Sequence, residues 1–439
     1  MTRILRQTAF LLLVALTLSG CSAAEDYLYS INPFLKKEPP LPGVRQPVLA
    51  NDPALQAPTG GAQALAIGPP VAINEWLNPG GPNNNSPGNI AFTGAMTQAW
   101  RTAGGKEDDR VSAPPIIVGG RILVYDNRQV VAYSTGNGGV LWSSDTLGEE
   151  ADAPVGGGGL ASDGQRIYVA TGASRLLALD VQSGSLIWSA KLSEPARSAP
   201  AIAGNKIYLV TAGSVVYALA TANGQELWRY AGIPETGGLL SSSSSAIVGS
   251  QVIVPFASGE VVGLDAESGQ LKWSGWLSRA LRTASISTLA DIAGRPVADR
   301  GLIVAGSVSG RTLAVKEGTG ERVWERNIGT AHTPAVSGEG VFLVSLQGDA
   351  YGLDRATGTV RWTTKLPKGK GREVWAGPLL AGGTLWIGSN KGQLVGIDAR
   401  SGDITSQREL GPDGIIQSPL AAGGRLFVVT GRGGVIAFD

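Results

Sequence analysis

Three observations predict an all-β fold for this 439-residue chain: an eight-bladed β-propeller of four-stranded blades, preceded by a signal segment and an irregular tether. A motif centred on Ser/Thr/Asn-Gly, followed in most copies by Trp, occurs seven times from residue 131 onward, and the sequence closes on the start of an eighth. The copies recur about every 44 residues, the range of a four-stranded propeller blade. Glycine is about twice as frequent as usual, 63 residues without a collagen period, which signals many tight turns.

The motif reads small residue, x, often Asp, two residues, Ser/Thr/Asn, Gly, three residues, Trp. Its cleanest copy is Ala178-Leu179-Asp180-Val181-Gln182-Ser183-Gly184-Ser185-Leu186-Ile187-Trp188. Others run from Ala132 to Trp142, Ala218 to Trp228, Gly263 to Trp273, Ala314 to Trp324 and Gly352 to Trp362. The seventh, Gly396 to Ser406, has Ser where Trp is expected. Consecutive motif glycines, from Gly138 to Gly402, are 46, 40, 45, 51, 38 and 44 residues apart. Between motifs lie β-branched runs of strand length, such as Lys206 to Val210 and Val215 to Leu219, separated by hairpin-length gaps. The small residue lets a strand pass close to a neighbouring sheet. The Ser/Thr/Asn-Gly pair supplies a turn with Gly at positive φ. The Trp is a plug between blades, and its burial contributes about 1.5–3 kcal/mol per junction.

The eighth start, Ala437-Phe438-Asp439, lacks an outer strand. Residues around Met96-Thr97-Gln98-Ala99-Trp100 are expected to supply it, closing the ring and hiding its open edge. Trp100 lies 42 residues before Trp142, which fits the period. The propeller is therefore expected over residues 91–439.

Arg3 and Arg6 precede an apolar run from Ala9 to Leu18 that is too short to span a bilayer and is flanked as in a signal peptide. The stretch Leu18-Ser19-Gly20-Cys21 resembles the lipobox of bacterial lipoproteins. That resemblance implies removal of residues 1–20, acylation of Cys21, and, because Ser22 rather than Asp follows, sorting to the outer membrane with the chain facing the periplasm. Residues 21–90 are rich in Pro and Gly, as in Asn78-Pro79-Gly80-Gly81-Pro82-Asn83-Asn84-Asn85-Ser86-Pro87-Gly88, and such a segment does not hold a ladder of hydrogen bonds. It reads as an irregular spacer between lipid and ring.

Lys+Arg 36 against Asp+Glu 35 argues against a chain-wide electrostatic grip on nucleic acid. The single Cys excludes an internal disulfide and a multi-thiolate zinc site. The single His, His332, is the only candidate for a Ser-His-Asp triad. His332-Thr333-Pro334 parallels Ser112-Ala113-Pro114 and Ser198-Ala199-Pro200, so His332 reads as a repeat position near a strand start. Glu107-Asp108-Asp109 reads as a solvated loop, Gly156 to Gly159 as a loop without the continuation a phosphate site needs, and Ser241 to Ser245 as a blade entry. Lys365, Lys368, Lys370 and Arg372 form a basic connector. Asp180, Asp265, Asp354 and Asp398 suit local side-chain to backbone bonds in the motif turn. No paired acid and base supports a hydrolase, and no catalytic or metal-binding residue is assigned.

The motif resembles the tryptophan-docking motif of the eight-bladed quinoprotein propellers, over about four-fifths of the chain. Two families share it: the pyrroloquinoline-quinone alcohol and glucose dehydrogenases, and BamB, the lipoprotein family of the outer-membrane β-barrel assembly machinery. The dehydrogenases imply a quinone pocket, a calcium held by carboxylates and Asn, a catalytic Asp and often a disulfide between adjacent cysteines. Here the only Cys precedes the ring and the chain is shorter, so the BamB family fits better. It implies a non-enzymatic scaffold without cofactor. Its implied partners are the periplasmic domains of BamA, the other lipoproteins of the machinery, unfolded outer-membrane proteins and the membrane through the lipid, with no nucleic acid. It also implies a contact surface on loops of neighbouring blades. One loop would carry Leu239 and Leu240, without the Arg of the family pattern. The other would carry Leu289 and Asp291, with Ala293 in place of a second acid. Arg279, Arg282 and Arg295 lie beside this acidic loop as candidates for polar contacts. Outer blade edges also suit addition of an extended client strand. The alternative is a quinone-dependent dehydrogenase-like enzyme or a small-ligand binder using the central funnel.

Overall fold

The computed structural model describes residue 55 and residues 62–105, 113–147, 156–234, 243–277, 292–369 and 371–439. These residues form eight four-stranded antiparallel sheets arranged as the blades of a propeller ring. Seven blades are consecutive along the chain: 116–145, 158–191, 201–231, 246–276, 297–326, 335–365 and 375–409. The eighth takes three strands from 420–438 and its outer strand, Gln98–Arg101, from the N-terminal side. Trp100 pairs with Ala437 across that join, so the expected closure of the ring is the observed one.

Each motif tryptophan docks on the next blade. A Cβ added to Gly138 would lie 2.6 Å from the Trp100 ring, and one added to Gly402 would lie 2.7 Å from the Trp362 ring. The same stacking joins Trp142 to Gly184, Trp188 to Gly224, Trp228 to Gly269, Trp273 to Gly320 and Trp324 to Gly358. The motif glycine is therefore required twice, for its positive φ and for the ring lying on its Cα. The indole N–H then donates to the carbonyl three residues before that glycine: Trp142 to Val181 at 3.2 Å, Trp188 to Thr221 at 3.1 Å, Trp362 to Ala399 at 3.1 Å. Trp273 departs from this and donates to the Gln251 side chain.

The small motif residue has a different role from the one expected. Ala178, Gly263 and Gly352 sit directly across from Trp188, Trp273 and Trp362 of the same blade. They make room for the tryptophan of their own sheet rather than for a neighbouring one. The motif aspartates do close the turn: Asp180 Oδ1 accepts from the Ser183 N–H at 2.8 Å and from the Ser183 hydroxyl at 2.8 Å. Gly158 and Gly159, expected in a loop, begin the inner strand of their blade. A Cβ on Gly159 would press on Ala199 of the adjacent blade, so glycine is needed where inner strands crowd the axis.

The junction between the seventh and eighth blades lacks a motif tryptophan because Ser406 occupies its place. Phe92 and Met96 are buried in the core cluster at this junction, and Phe92 meets Trp386 edge-to-face at 6.3 Å between centroids. Aromatic mass supplied from outside the repeat fills the gap.

Residues 62–97, most of them read from sequence as part of the tether, pack into the ring. The first blade exchanges bonds between Trp76 and Ile117. Ser162 N–H donates to the Leu77 carbonyl, and Ile202 N–H to the Asn78 side chain. Ile247 and Ala298 donate to the carbonyls of Asn83 and Asn84. Gly68 N–H donates to the Ser337 hydroxyl, Ile90 N–H to the Leu380 carbonyl, and Gly423 N–H to the Ile73 carbonyl. One segment thus bonds to all eight blades. The segment makes isolated bridges, at Trp76 to Ile117, Ile90 to Ala381 and Val71 to Ile90 within itself, rather than a continuous ladder. Each inner strand turns an unpaired edge to the axis, and those groups need partners. Asn offers both donor and acceptor, while Pro leaves no amide N–H to be satisfied.

Candidate functional site

Two regions are candidates: the central channel, and the face of the ring that carries the blade-to-blade connectors. The strand order puts every connector from an outer strand to the next inner strand on one face. The turns that carry the tryptophan-docking glycines lie on the opposite face.

Five inner strands enter the channel directly behind a proline, Pro115, Pro200, Pro296, Pro334 or Pro419, and a sixth carries Pro378 within it. The segment around Asn85 fills the middle. Asn85 Nδ2 donates to the Pro296 carbonyl at 3.0 Å and to the Ser245 carbonyl at 3.4 Å. On the connector side remains a cavity walled by Trp76, Asn85, Arg295, Thr333, Ser418 and several prolines. It leaves about 40 Å³ for the centre of a water-sized sphere. His332 adjoins it. Burial and the neighbouring Arg295 push its pKa down to about 4, partly offset by a hydrogen bond to the Trp375 backbone. The unfolded chain therefore takes up this proton first, and stability falls as pH drops from about 6.5 toward 4. As the only imidazole in the chain, it gives a single NMR titration, with an expected midpoint near 4. A midpoint near 6.5 would contradict the placement of the imidazole beside Arg295.

This channel does not fit the quinone and calcium of the dehydrogenases. The Asn-rich segment occupies the axis, and the remaining space is too small for a fused tricyclic quinone. The one charged group on the cavity wall is a cation, Arg295, which repels calcium. Among the described residues no cluster of three or more His, Cys, Asp or Glu could hold a metal ion.

Of the residues expected to contact a partner, Leu239, Leu240, Arg279, Arg282, Leu289 and Asp291 lie outside the described residues, as do Cys21 and Lys370. Their connectors, 232–245 and 277–296, join successive blades and so share the connector face. Arg295, expected beside the acidic loop, lines the channel cavity, and its backbone N–H donates to Thr333 Oγ1 at 3.1 Å. Exposed apolar groups bracket both connectors. Ile233 is 48% exposed and Trp276 44% exposed. Leu346, Val374 and Ile416 are exposed elsewhere on the same face. The sequence held a sign of Trp276: it stands three residues after Trp273 in the same strand, at the opposite parity, and so points away from the blade junction. A different exposed set, Leu141, Leu186, Ile187, Leu227 and Leu271, runs along the outer strands of the first four blades.

The family model described as outer membrane protein assembly factor BamB matches residues 126–364 and 348–439, most of the ring. The chain belongs to the BamB family. The outer membrane protein assembly factor BamB of Yersinia pestis is 24% identical over 351 residues, covering 78% of this chain and 88% of the relative. BamB from Moraxella catarrhalis superposes with a TM-score of 0.68 at 20% identity, covering 79% of this chain and 100% of that one. The quinohemoprotein alcohol dehydrogenase of Comamonas testosteroni also superposes, with a TM-score of 0.64 at 15% identity, covering 83% and 80%. At these identities both structural likenesses establish the fold alone.

Proposed function

We propose that this BamB-family chain is a non-enzymatic scaffold of the outer-membrane assembly machinery. It is lipid-anchored through Cys21 and binds the periplasmic domains of BamA through its connector face. The observation that carries the reading is the pairing of a family match over most of the ring with an axis filled by the chain's own residues. A propeller whose funnel is occupied has its loops and edges left for function.

The binding surface is the pair of connectors between blades three, four and five. Leu239, Leu240, Leu289 and Asp291 contribute from the loops, and Ile233 and Trp276 flank them. Exposed aromatic and aliphatic anchors beside polar groups are the composition expected of an interface centre. The apolar rim of the outer strands supports a second contact, in which an extended client strand adds to a blade edge.

Titration of the purified mature chain against BamA periplasmic domains tests the surface. Asp291→Asn combined with Trp276→Ala is expected to weaken binding at least tenfold while leaving the melting temperature within about 2 °C. Unchanged affinity in that variant would remove the connector face from the proposal.

A further inference from the structure

Arg295 is the only charged residue on the wall of the channel cavity among the described residues. Among the described residues its guanidinium has no ion-pair or hydrogen-bond partner, and its Nε is buried without one. Burial lowers its pKa to about 10, so it remains a cation at neutral pH. A half-buried cation with no counter-charge favours an anionic partner, and a planar guanidinium fork matches the geometry of an oxyanion. Thr333 stands beside it on the same wall; its Oγ1 accepts from the Arg295 backbone N–H and leaves the hydroxyl proton free to donate. The remaining wall is Trp76, proline, glycine and aliphatic carbon with Asn85 and Ser418, and among the described residues it carries no acidic group to repel an anion.

We propose that the channel cavity binds one small oxyanion, held by the Arg295 guanidinium with the Thr333 hydroxyl as a second donor. The space sets the size of the ligand. About 40 Å³ for sphere centres is several times the ~10–15 Å³ that one water needs, and admits a phosphate, a sulfate or a carboxylate head. The site lies at the connector end of the channel, a few residues past the loop that carries Asp291.

Isothermal titration of the mature chain with sodium phosphate, sodium sulfate and sodium acetate, at constant ionic strength, tests the site. Glycerol 3-phosphate serves as a further arm to separate a free anion from the phosphate of a larger molecule. Saturable one-to-one binding of at least one of the three salts is expected. Arg295→Met is expected to weaken it at least tenfold, and Thr333→Val several-fold. Binding of phosphate but not of glycerol 3-phosphate would identify a free anion as the ligand, and equal binding of both a phosphate group open to substitution. Should Arg295→Met fail to fold, the Thr333→Val titration decides alone. Absence of binding by all three salts, or binding unchanged in the variants, would overturn the proposal.

Discussion

Deletion of residues 62–91 from the mature chain abolishes the folded ring. This is the largest effect expected, because the segment bonds to the inner strand or its hairpin in all eight blades and also places Ile90 against the seventh. Without it, backbone groups along the axis lose their partners inside a channel where water reaches them poorly, at about 1–3 kcal/mol for each buried group left unmet. A few such losses exceed the ~5–15 kcal/mol by which domains are ordinarily stable. Near-UV circular dichroism and size-exclusion chromatography read the result, and a synthetic peptide of residues 62–91 added in trans is expected to restore part of the signal. A deletion that stays monodisperse with an unchanged urea midpoint would show that the ring closes without its axial segment.

Trp362→Ala is expected to destabilise the ring by about 3–5 kcal/mol, the range for removing a fully buried tryptophan. Trp362 is the most buried of the docking tryptophans, at 1% exposure; it stacks on Gly402 and donates to the Ala399 carbonyl. Trp188→Ala, where the ring is only partly buried, should cost clearly less. The comparison is made on urea midpoints with the slope m held as a check that unfolding stays cooperative. Equal losses in the two variants would show that burial at the junction does not set the energy of docking.

These two expectations mark the boundary of what is legible in the sequence. The docking network is legible because its parts repeat: the glycine returns in every copy, the tryptophan four residues later in all but the seventh, and the aspartate in four of them, so one copy explains the others. Trp100 was legible from spacing alone. The axial segment is different. Asn84 bonds to Ala298 across 214 residues and Gly68 to Ser337 across 269, with no local period to announce either. Its Pro and Asn content carries the right message about the absence of a ladder and none about where single bonds go. Phe92 is hidden for a related reason, since it takes over at the junction where Ser406 breaks the repeat.

The candidate site divides in the same way. Asp180, Asp265, Asp354 and Asp398 announce themselves as turn residues by their fixed place in the motif, and the side-chain to backbone bonds are there. Arg295 stands next to a connector in sequence, and nothing in its neighbours indicates that it lines the channel cavity.

Affinity purification of the lipidated full-length chain from detergent-solubilised envelopes, with partners identified by mass spectrometry, distinguishes a scaffold of outer-membrane assembly from a quinoprotein enzyme. Recovery of BamA together with companion lipoproteins, and no change in absorbance when pyrroloquinoline quinone is titrated into the purified chain, is the predicted result. Purification without BamA, accompanied by stoichiometric quinone binding and quinone-dependent dye reduction, would contradict it.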